Sequence, residues 1–231
     1  MSIVALIPCY NEIAHVAGVV QRTRQHLPVV VIDDGSTDGS GAAAAKAGAT
    51  VLTHPRNRGK GAALATGIRW ALEQGCRAVV TLDADAQHDP DEIPTFLDAY
   101  CRDVADMIIG RRDFSQMPPR NSLGNRLSNR ILGWALGRPI PDNQCGYRLL
   151  NRRAMETLDF NTPGFEFEVE MIVQAVMAGL RMAWVPIRTI YAGETSHFRP
   201  VGDSVKFVKT AWRARQRVRR GMGRRGTRSG G

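Results

Sequence analysis

Along the first 110 residues, short continuous apolar runs alternate with longer stretches in which apolar residues recur every third or fourth position. Residues 3–8, 29–32, 50–53, 78–82 and 106–109 are the runs, and their length and β-branched content predict strands. Between the first two, residues 12–27 place Ile13, Val16, Val19 and Val20 on one face with Arg22 and Arg24 pointing outward, which predicts a helix. An alanine-rich helix is expected after Thr37 or Asp38, either of which could cap it, and two more over 59–74 and 93–101. Strand–helix alternation with near-continuous apolar strands predicts an α/β fold: a mainly parallel sheet flanked by helices, with a Rossmann-like first half.

The second half is less regular. Residues 111–137 are basic and amphipathic, with Leu123, Leu127, Ile131 and Trp134 at i, i+4, i+8 and i+11 and Arg120, Arg126 and Arg130 between them. A helix over 166–179 and a strand over 182–190 follow. From 203 to 220 a second amphipathic basic segment sets Val205, Val208, Ala211 and Trp212 on one side, and the Gly/Arg/Ser-rich stretch from 221 to 231 is expected to be disordered. There is no internal repeat.

Composition narrows this only slightly. A chain of 231 residues, 43% hydrophobic and 23% charged, can bury a full core in one domain. No run approaches the roughly 18 apolar residues of a membrane span, and the N-terminus lacks the basic start of a signal peptide. Cys9, Cys76, Cys101 and Cys145 show no metal spacing and read as free thiols of a reducing cytosol. The net charge of +9 is local: residues 206–231 hold ten Lys/Arg and no acid, leaving 21 basic against 22 acidic groups in residues 1–205. Such a tail suits an anionic membrane surface or simple solubility; nucleic acid is not expected, because no recognisable module accompanies it.

Candidate chemistry gathers where strands end. In parallel α/β sheets ligands bind beyond the carboxyl ends of the strands, and four polar clusters each follow a predicted strand: 9–12, 33–38, 56–60 and 83–87. The last carries Asp83 and Asp85, whose i, i+2 spacing puts both carboxylates on one side of an extended segment. Oxygen ligands of this kind suit a hard divalent cation shared with substrate phosphates. Gly59-Lys60-Gly61 lacks the spacing of a phosphate loop and reads instead as a helix start with a glycine for close packing. A dinucleotide fingerprint and a nucleophile elbow are both missing. Acids for a nucleoside, a cation and arginines for a pyrophosphate together suit a nucleoside diphosphate.

Four motifs, Pro8-Cys-Tyr10-Asn11-Glu12, Val31-Ile-Asp33-Asp34-Gly35-Ser36-Thr37-Asp38, Asn57-Arg-Gly59-Lys60-Gly61 and Asp83-Ala84-Asp85-Ala-Gln87-His88, resemble those of inverting family 2 glycosyltransferases in order and spacing. The likeness is strongest to the dolichyl- or polyprenyl-phosphate sugar transferase branch and covers roughly residues 1–200. It implies a GT-A fold over 1–200, with a nucleotide-sugar-binding half at 1–110 and an acceptor-side half at 111–200. It also implies a GDP- or UDP-sugar donor and Mg2+ or Mn2+. Carried over, Pro8, Tyr10, Glu12 and Asp34 hold the nucleoside, while Asp83, Ala84 and Asp85 meet the sugar-nucleotide. Asp83, Asp85 and Gln87 hold the metal, and Arg112 and Arg120 contact the diphosphate. Asp142-Asn-Gln-Cys-Gly146-Tyr147-Arg148 and Gly164-Phe-Glu166-Phe-Glu168-Val-Glu170 match segments that border the acceptor.

The chain departs from the mannose-transferring pattern near its end, where Tyr191 replaces an expected Arg and His197 an expected Lys, with Arg199 nearby to assist. In the implied mechanism the cation at Asp85 and these basic groups stabilise the departing diphosphate. A lipid phosphate acceptor is already anionic, whereas a hydroxyl acceptor needs a base, for which Asp142 and Glu168 are the candidates. The two amphipathic basic segments, with Trp134 or Trp212 at their edges, favour the lipid acceptor and a peripheral position on the inner face of the cell membrane. Alternatives are a hydroxyl-directed transferase, a sugar-phosphate nucleotidyltransferase, or an inactive GT-A adaptor that binds membrane or nucleic acid. The nucleotidyltransferase lacks its glycine-rich first loop here, and the intact Asp83 and Asp85 speak against the adaptor.

Overall fold

The computed structural model describes residues 2–116, 119–160, 167–188 and 215–216, apart from the side chains of 116 and 119–121. Strands β1 (Ile3–Cys9), β2 (Val29–Asp33), β3 (Thr50–Thr53), β4 (Ala78–Thr81), β5 (Met107–Arg112), β6 (Arg148–Asn151) and β7 (Met182–Ile187) form one sheet in the order β3-β2-β1-β4-β6-β5-β7. Every pairing is parallel except the two made by β6, which runs antiparallel between β4 and β5. The fold is GT-A-type, as the sequence implies.

Among the described residues the α-helices are α1 (Val16–Thr23), α2 (Ser40–Lys46), α3 (Lys60–Glu73), α4 (Ile93–Cys101), α5 (Pro119–Leu136), α6 (Arg152–Thr157) and α7 (Phe167–Ala178). α1 buries Val16, Val19, Val20 and Thr23, one stripe at helical spacing. It is shorter than its apolar pattern, because residues 11–13 are diverted to bond Ser36, Ser40 and Asp38. Gly67 of α3 sits so close to Ile32 and Leu6 that a β-carbon there would lie 2.7 Å from the former, so this glycine supplies the close helix–sheet contact. β5 runs past its apolar stretch to Arg112 because β7 continues to pair with it as far as Ile187.

β6 and α6 are not foreshadowed by apolar pattern. β6 offers only Leu149 and Leu150 between polar neighbours, and its first residue, Arg148, is fully buried. Its reversed direction has one consequence for the site. The start of β6, with the 142–147 loop before it, lies at the same rim as the carboxyl ends of β1, β2 and β4.

Candidate active site

The rim is laid down by short side-chain-to-backbone bonds that fix each loop. Asp33 accepts from Ser36 N at 2.9 Å, and Asn11, held at φ +56°, accepts from Thr37 N at 2.9 Å. Asp34 is 3% exposed and its carboxylate is engaged on all sides: Arg58 N at 3.0 Å, Gly59 N at 2.7 Å and His54 Nδ1 at 2.7 Å. His54 in turn meets Thr66 Oγ1 at 2.9 Å. Asp34 thereby anchors the 56–60 loop, a scaffolding task beside the nucleoside contact implied for it. Tyr10 stands exposed at the rim, and Pro8 and Glu12 are partly buried next to it.

That loop delivers Lys60, the first residue of α3. Its Nζ lies 2.7 Å from Asp83 Oδ1 and 2.8 Å from Glu168 Oε1, joining the loop after β4 to the first turn of α7. Burial alone would lower the Lys60 pKa, but the two carboxylates outweigh it and hold the ammonium charged. For Asp83, burial would raise the pKa, and Lys60 with His88 reverses this to a net lowering. The sequence gives no sign of this role for Lys60, because its second partner lies far along the chain.

Asp85 is placed differently. Its Oδ1 accepts from Gln87 N at 3.0 Å, and among the described residues it makes no ion pair. Burial first, and the neighbouring Asp83 charge second, push its pKa up. Between Asp85 and Gln87, Ala86 adopts φ +62°, a left-handed conformation that costs an L-residue about 1–2 kcal/mol. Backbone strain of this kind concentrates at ligand sites. Ala84 is buried, while Asp83, Asp85 and Gln87 are partly open. No cluster of three or more His, Cys, Asp or Glu closes a metal cage among the described residues. Two carboxylates and an amide with open positions nonetheless fit a magnesium-like ion that takes its other ligands from phosphates and water. The under-compensated charge of Asp85 is what such a cation would neutralise.

Across from these acids stands the 142–147 loop. Asp142 is 1% exposed and receives a two-pronged bond from Arg112, Nε to Oδ2 at 2.8 Å and Nη2 to Oδ1 at 2.9 Å. Gln144 N and Arg112 N also donate to it. Arg112 and Asp142 are therefore brought together, and proton removal by Asp142 would require this pair to part. Gly146 backs directly onto the Lys60–Asp83 pair: a β-carbon there would lie 2.9 Å from Lys60 Nζ and 3.0 Å from Asp83 Oδ2. The side chain of Arg120, together with His197 and Arg199, lies outside the described residues.

The sequence matches the profile described as Glycosyl transferase family 2 over residues 4–159, more than half its length, and the chain belongs to that family. Its enzyme class is glycosyltransferase. An undecaprenyl-phosphate mannosyltransferase of Micrococcus luteus is 32% identical over 206 residues, covering 81% of this chain and 83% of its own. The polyprenol monophosphomannose synthase of Mycolicibacterium smegmatis is 30% identical over 238 residues, 94% of this chain and 89% of its own. Among solved structures, glucosyl-3-phosphoglycerate synthase from Mycobacterium tuberculosis, in complex with Mn2+, UDP-glucose and phosphoglyceric acid, superposes with a TM-score of 0.73. At 20% identity, over 93% of this chain and 79% of that one, this likeness speaks for the fold alone.

Proposed function

We propose that this chain moves a sugar, with inversion at the anomeric carbon, from a nucleoside-diphosphate sugar to a polyprenyl phosphate or similar lipid phosphate at the cytoplasmic membrane face. One observation carries the reading: Asp83, Asp85, Lys60 and Glu168 converge at the rim against a loop from the second half of the chain. The relatives named for undecaprenyl phosphate and polyprenol support the acceptor class. In this reading Pro8, Tyr10, Glu12 and Asp34 shape the nucleoside side. A Mg2+ or Mn2+ ion held by Asp83, Asp85 and Gln87 would supply Lewis-acid stabilisation of the leaving diphosphate. Lys60 keeps Asp83 ionised and offsets the excess of acid in a cleft that must receive an anion. Arg112, Arg120, His197 and Arg199 are the basic groups assigned to the diphosphate. A lipid phosphate attacks as an anion and needs no base; for a hydroxyl, Glu168 is better placed than Asp142, whose oxygens Arg112 occupies.

Release of nucleoside diphosphate from a panel of UDP- and GDP-sugars, with Mn2+ and a short polyprenyl phosphate, tests this. Activity is expected from the wild type and lost in Asp85→Ala; turnover indifferent to that substitution would refute the assignment.

The membrane reading has its own support. No helix among the described residues is long and apolar enough to cross a bilayer. On α5, however, Leu123 is 70% exposed, Leu127 57% and Trp134 55%, with Arg126 and Arg130 exposed alongside. The inward side of the same helix braces the site: Asn129 Nδ2 donates to Pro141 O at 2.8 Å, and Asn143 N donates to Asn129 Oδ1 at 3.0 Å. From the basic tail, the Arg215 guanidinium lies 3.7 Å from the Trp134 ring centroid, joining the tail to this face. An apolar stripe edged by arginines suits an anionic interface. Co-sedimentation with phosphatidylglycerol vesicles at low salt should fall in a chain lacking residues 206–231 and fall further with Leu123→Gln/Leu127→Gln. Unchanged sedimentation in both would refute the membrane role.

A further inference from the structure

We propose that Arg148 is a positioning residue for the acceptor side of the site. Its guanidinium sets the 142–147 loop against the first turn of α7. What the positioning serves rests on the transfer reaction proposed above; the positioning itself rests on geometry.

Arg148 opens β6 and is fully buried. Its fork donates to three carbonyls: Nε to Cys145 O at 2.8 Å, Nη2 to Asn143 O at 3.2 Å and Nη1 to Glu168 O at 2.9 Å. No carboxylate pairs with it among the described residues. Burying a cation without an acid partner is unfavourable, and an apolar side chain of similar volume is often as stabilising or more so. The charges of Glu168, Asp142 and Asp83 offset this only in part, so what recommends an arginine here is the geometry of its fork, which meets three carbonyls at once. Among the described residues the 142–147 loop takes one backbone ladder bond, Gly110 N to Tyr147 O at 2.9 Å at its last residue, and the rigid planar fork holds the stretch before it. Two prongs hold the loop and the third holds the backbone of Glu168.

The loop so held is the one whose Gly146 packs on Lys60 and Asp83, and Thr81 Oγ1 grips Gly146 O from the other side at 2.7 Å. One guanidinium thus ties the 143–145 backbone, and with it Gly146 against Lys60 and Asp83, to the backbone of Glu168. The loops after β1 and β2 do not depend on it. Loss of the fork should therefore disturb where the acceptor sits while leaving the nucleotide's seat in place.

Arg148→Lys keeps the charge and removes the fork; Arg148→Met removes both at similar volume. In each, hydrogen exchange at residues 143–147 and 168–172 should quicken at least about tenfold, with β1–β3 unchanged, since local opening is read segment by segment. Transfer from a UDP- or GDP-sugar to a short polyprenyl phosphate should fall by about 10²-fold, as expected for reactants misplaced by an ångström. A larger share of the donor that is consumed should be hydrolysed by water. Affinity for UDP or GDP with Mn2+, measured by calorimetry, should stay within about twofold. Exchange unchanged in the loop, or transfer within twofold of wild type, would overturn the proposal. So would a parallel fall of transfer and nucleotide affinity, or failure of both variants to fold, because Arg148 would then be a general structural residue. A wild type that turns over no donor would instead refute the proposed reaction, and the exchange comparison would still decide the role of Arg148.

Discussion

At the amino-terminal end of β5, Asp106 is 2% exposed and accepts from Arg181 N at 2.9 Å, Asn151 Nδ2 at 3.0 Å and Arg181 Nη2 at 3.2 Å. At the carboxyl end of β4, Asp85 accepts one backbone bond and stands beside a second acid. Burial pushes against ionisation at both ends. At Asp106 the hydrogen bonds and charge of Arg181 overcome it and the pKa falls; at Asp85 nothing does and the pKa rises. The same residue type is thus fully compensated at one end of the sheet and left short at the other. A partly open acid with no ion pair among the described residues, next to another acid, marks where a ligand's charge belongs.

The sharpest way to break this contrast is Asp85→Asn. Transfer should fall about 10²–10³-fold, the scale seen when one electrostatic stabiliser of a transition state is lost. Stability should move the other way. A carboxyl whose folded pKa is raised contributes stability that is present below its unfolded value, near 4, and lost as pH rises through the folded value. Above the folded value that loss is complete in the ligand-free wild type, and it is absent from the variant at every pH. The variant's Tm at pH 7 should therefore exceed the wild type's, by about 2–4 °C for each kcal/mol recovered, with the gap closing in acid. Mn2+ with UDP or GDP should raise the wild-type Tm and leave the variant's nearly unmoved. A variant less stable than wild type at pH 7 would sink this account of Asp85.

Asp106→Asn probes the compensated end and should have the smaller, opposite effect. Removing a charge that several donors are arranged to meet should destabilise by about 1–3 kcal/mol at pH 7, with transfer within twofold of wild type. Because the Asp106 pKa is depressed, its contribution is present above the unfolded value near 4 and lost as pH falls through the folded one. Urea unfolding at pH 7 and near pH 3 should show the gap between variant and wild type narrowing in acid. A gap that persists unchanged would mean that the side-chain amide, not the lost charge, is at fault.

How far these sites could be read from sequence follows the same division. The loops that end parallel strands were legible, because continuous apolar runs mark the strands and parallel topology carries their ends to one rim. β3 and α4 occur over the residues their patterns predict. The i, i+2 spacing of Asp83 and Asp85 is a weak local signal that gains weight only beside the other loops of the rim, where the structure places both. Lys60, Gly146 and Arg148 were not legible, since each acquires meaning from a neighbour distant in the chain: Glu168 for Lys60, Asp83 for Gly146 and the first turn of α7 for Arg148. The insertion of β6 against the run of the sheet is a non-local pairing that no window of residues encodes. Asp34 shows the converse: its motif suggested a ligand contact, and the structure adds that its carboxylate is filled by the 56–60 loop and His54.

The smallest expected effect lies at Ala86, between Asp85 and Gln87. Its φ of +62° is a conformation that glycine adopts without the β-carbon clash an alanine suffers. Relief of about 1–2 kcal/mol is opposed by the extra freedom glycine brings to the unfolded chain, about 0.5–1 kcal/mol. Ala86→Gly should therefore stabilise the fold only slightly, by up to about 1 kcal/mol. Its effect on transfer separates two accounts of the strain. If the left-handed turn only lets the chain leave β4, activity should be unchanged. If the alanine stiffens the turn that aims Asp85 and Gln87 at a shared ion, a looser turn should weaken Mn2+ affinity a few-fold while the Tm rises. The second outcome is expected, because the strain falls between two side chains that must hold fixed directions. Unaltered Mn2+ affinity in a stabilised Ala86→Gly would leave the strained turn as a matter of chain direction only.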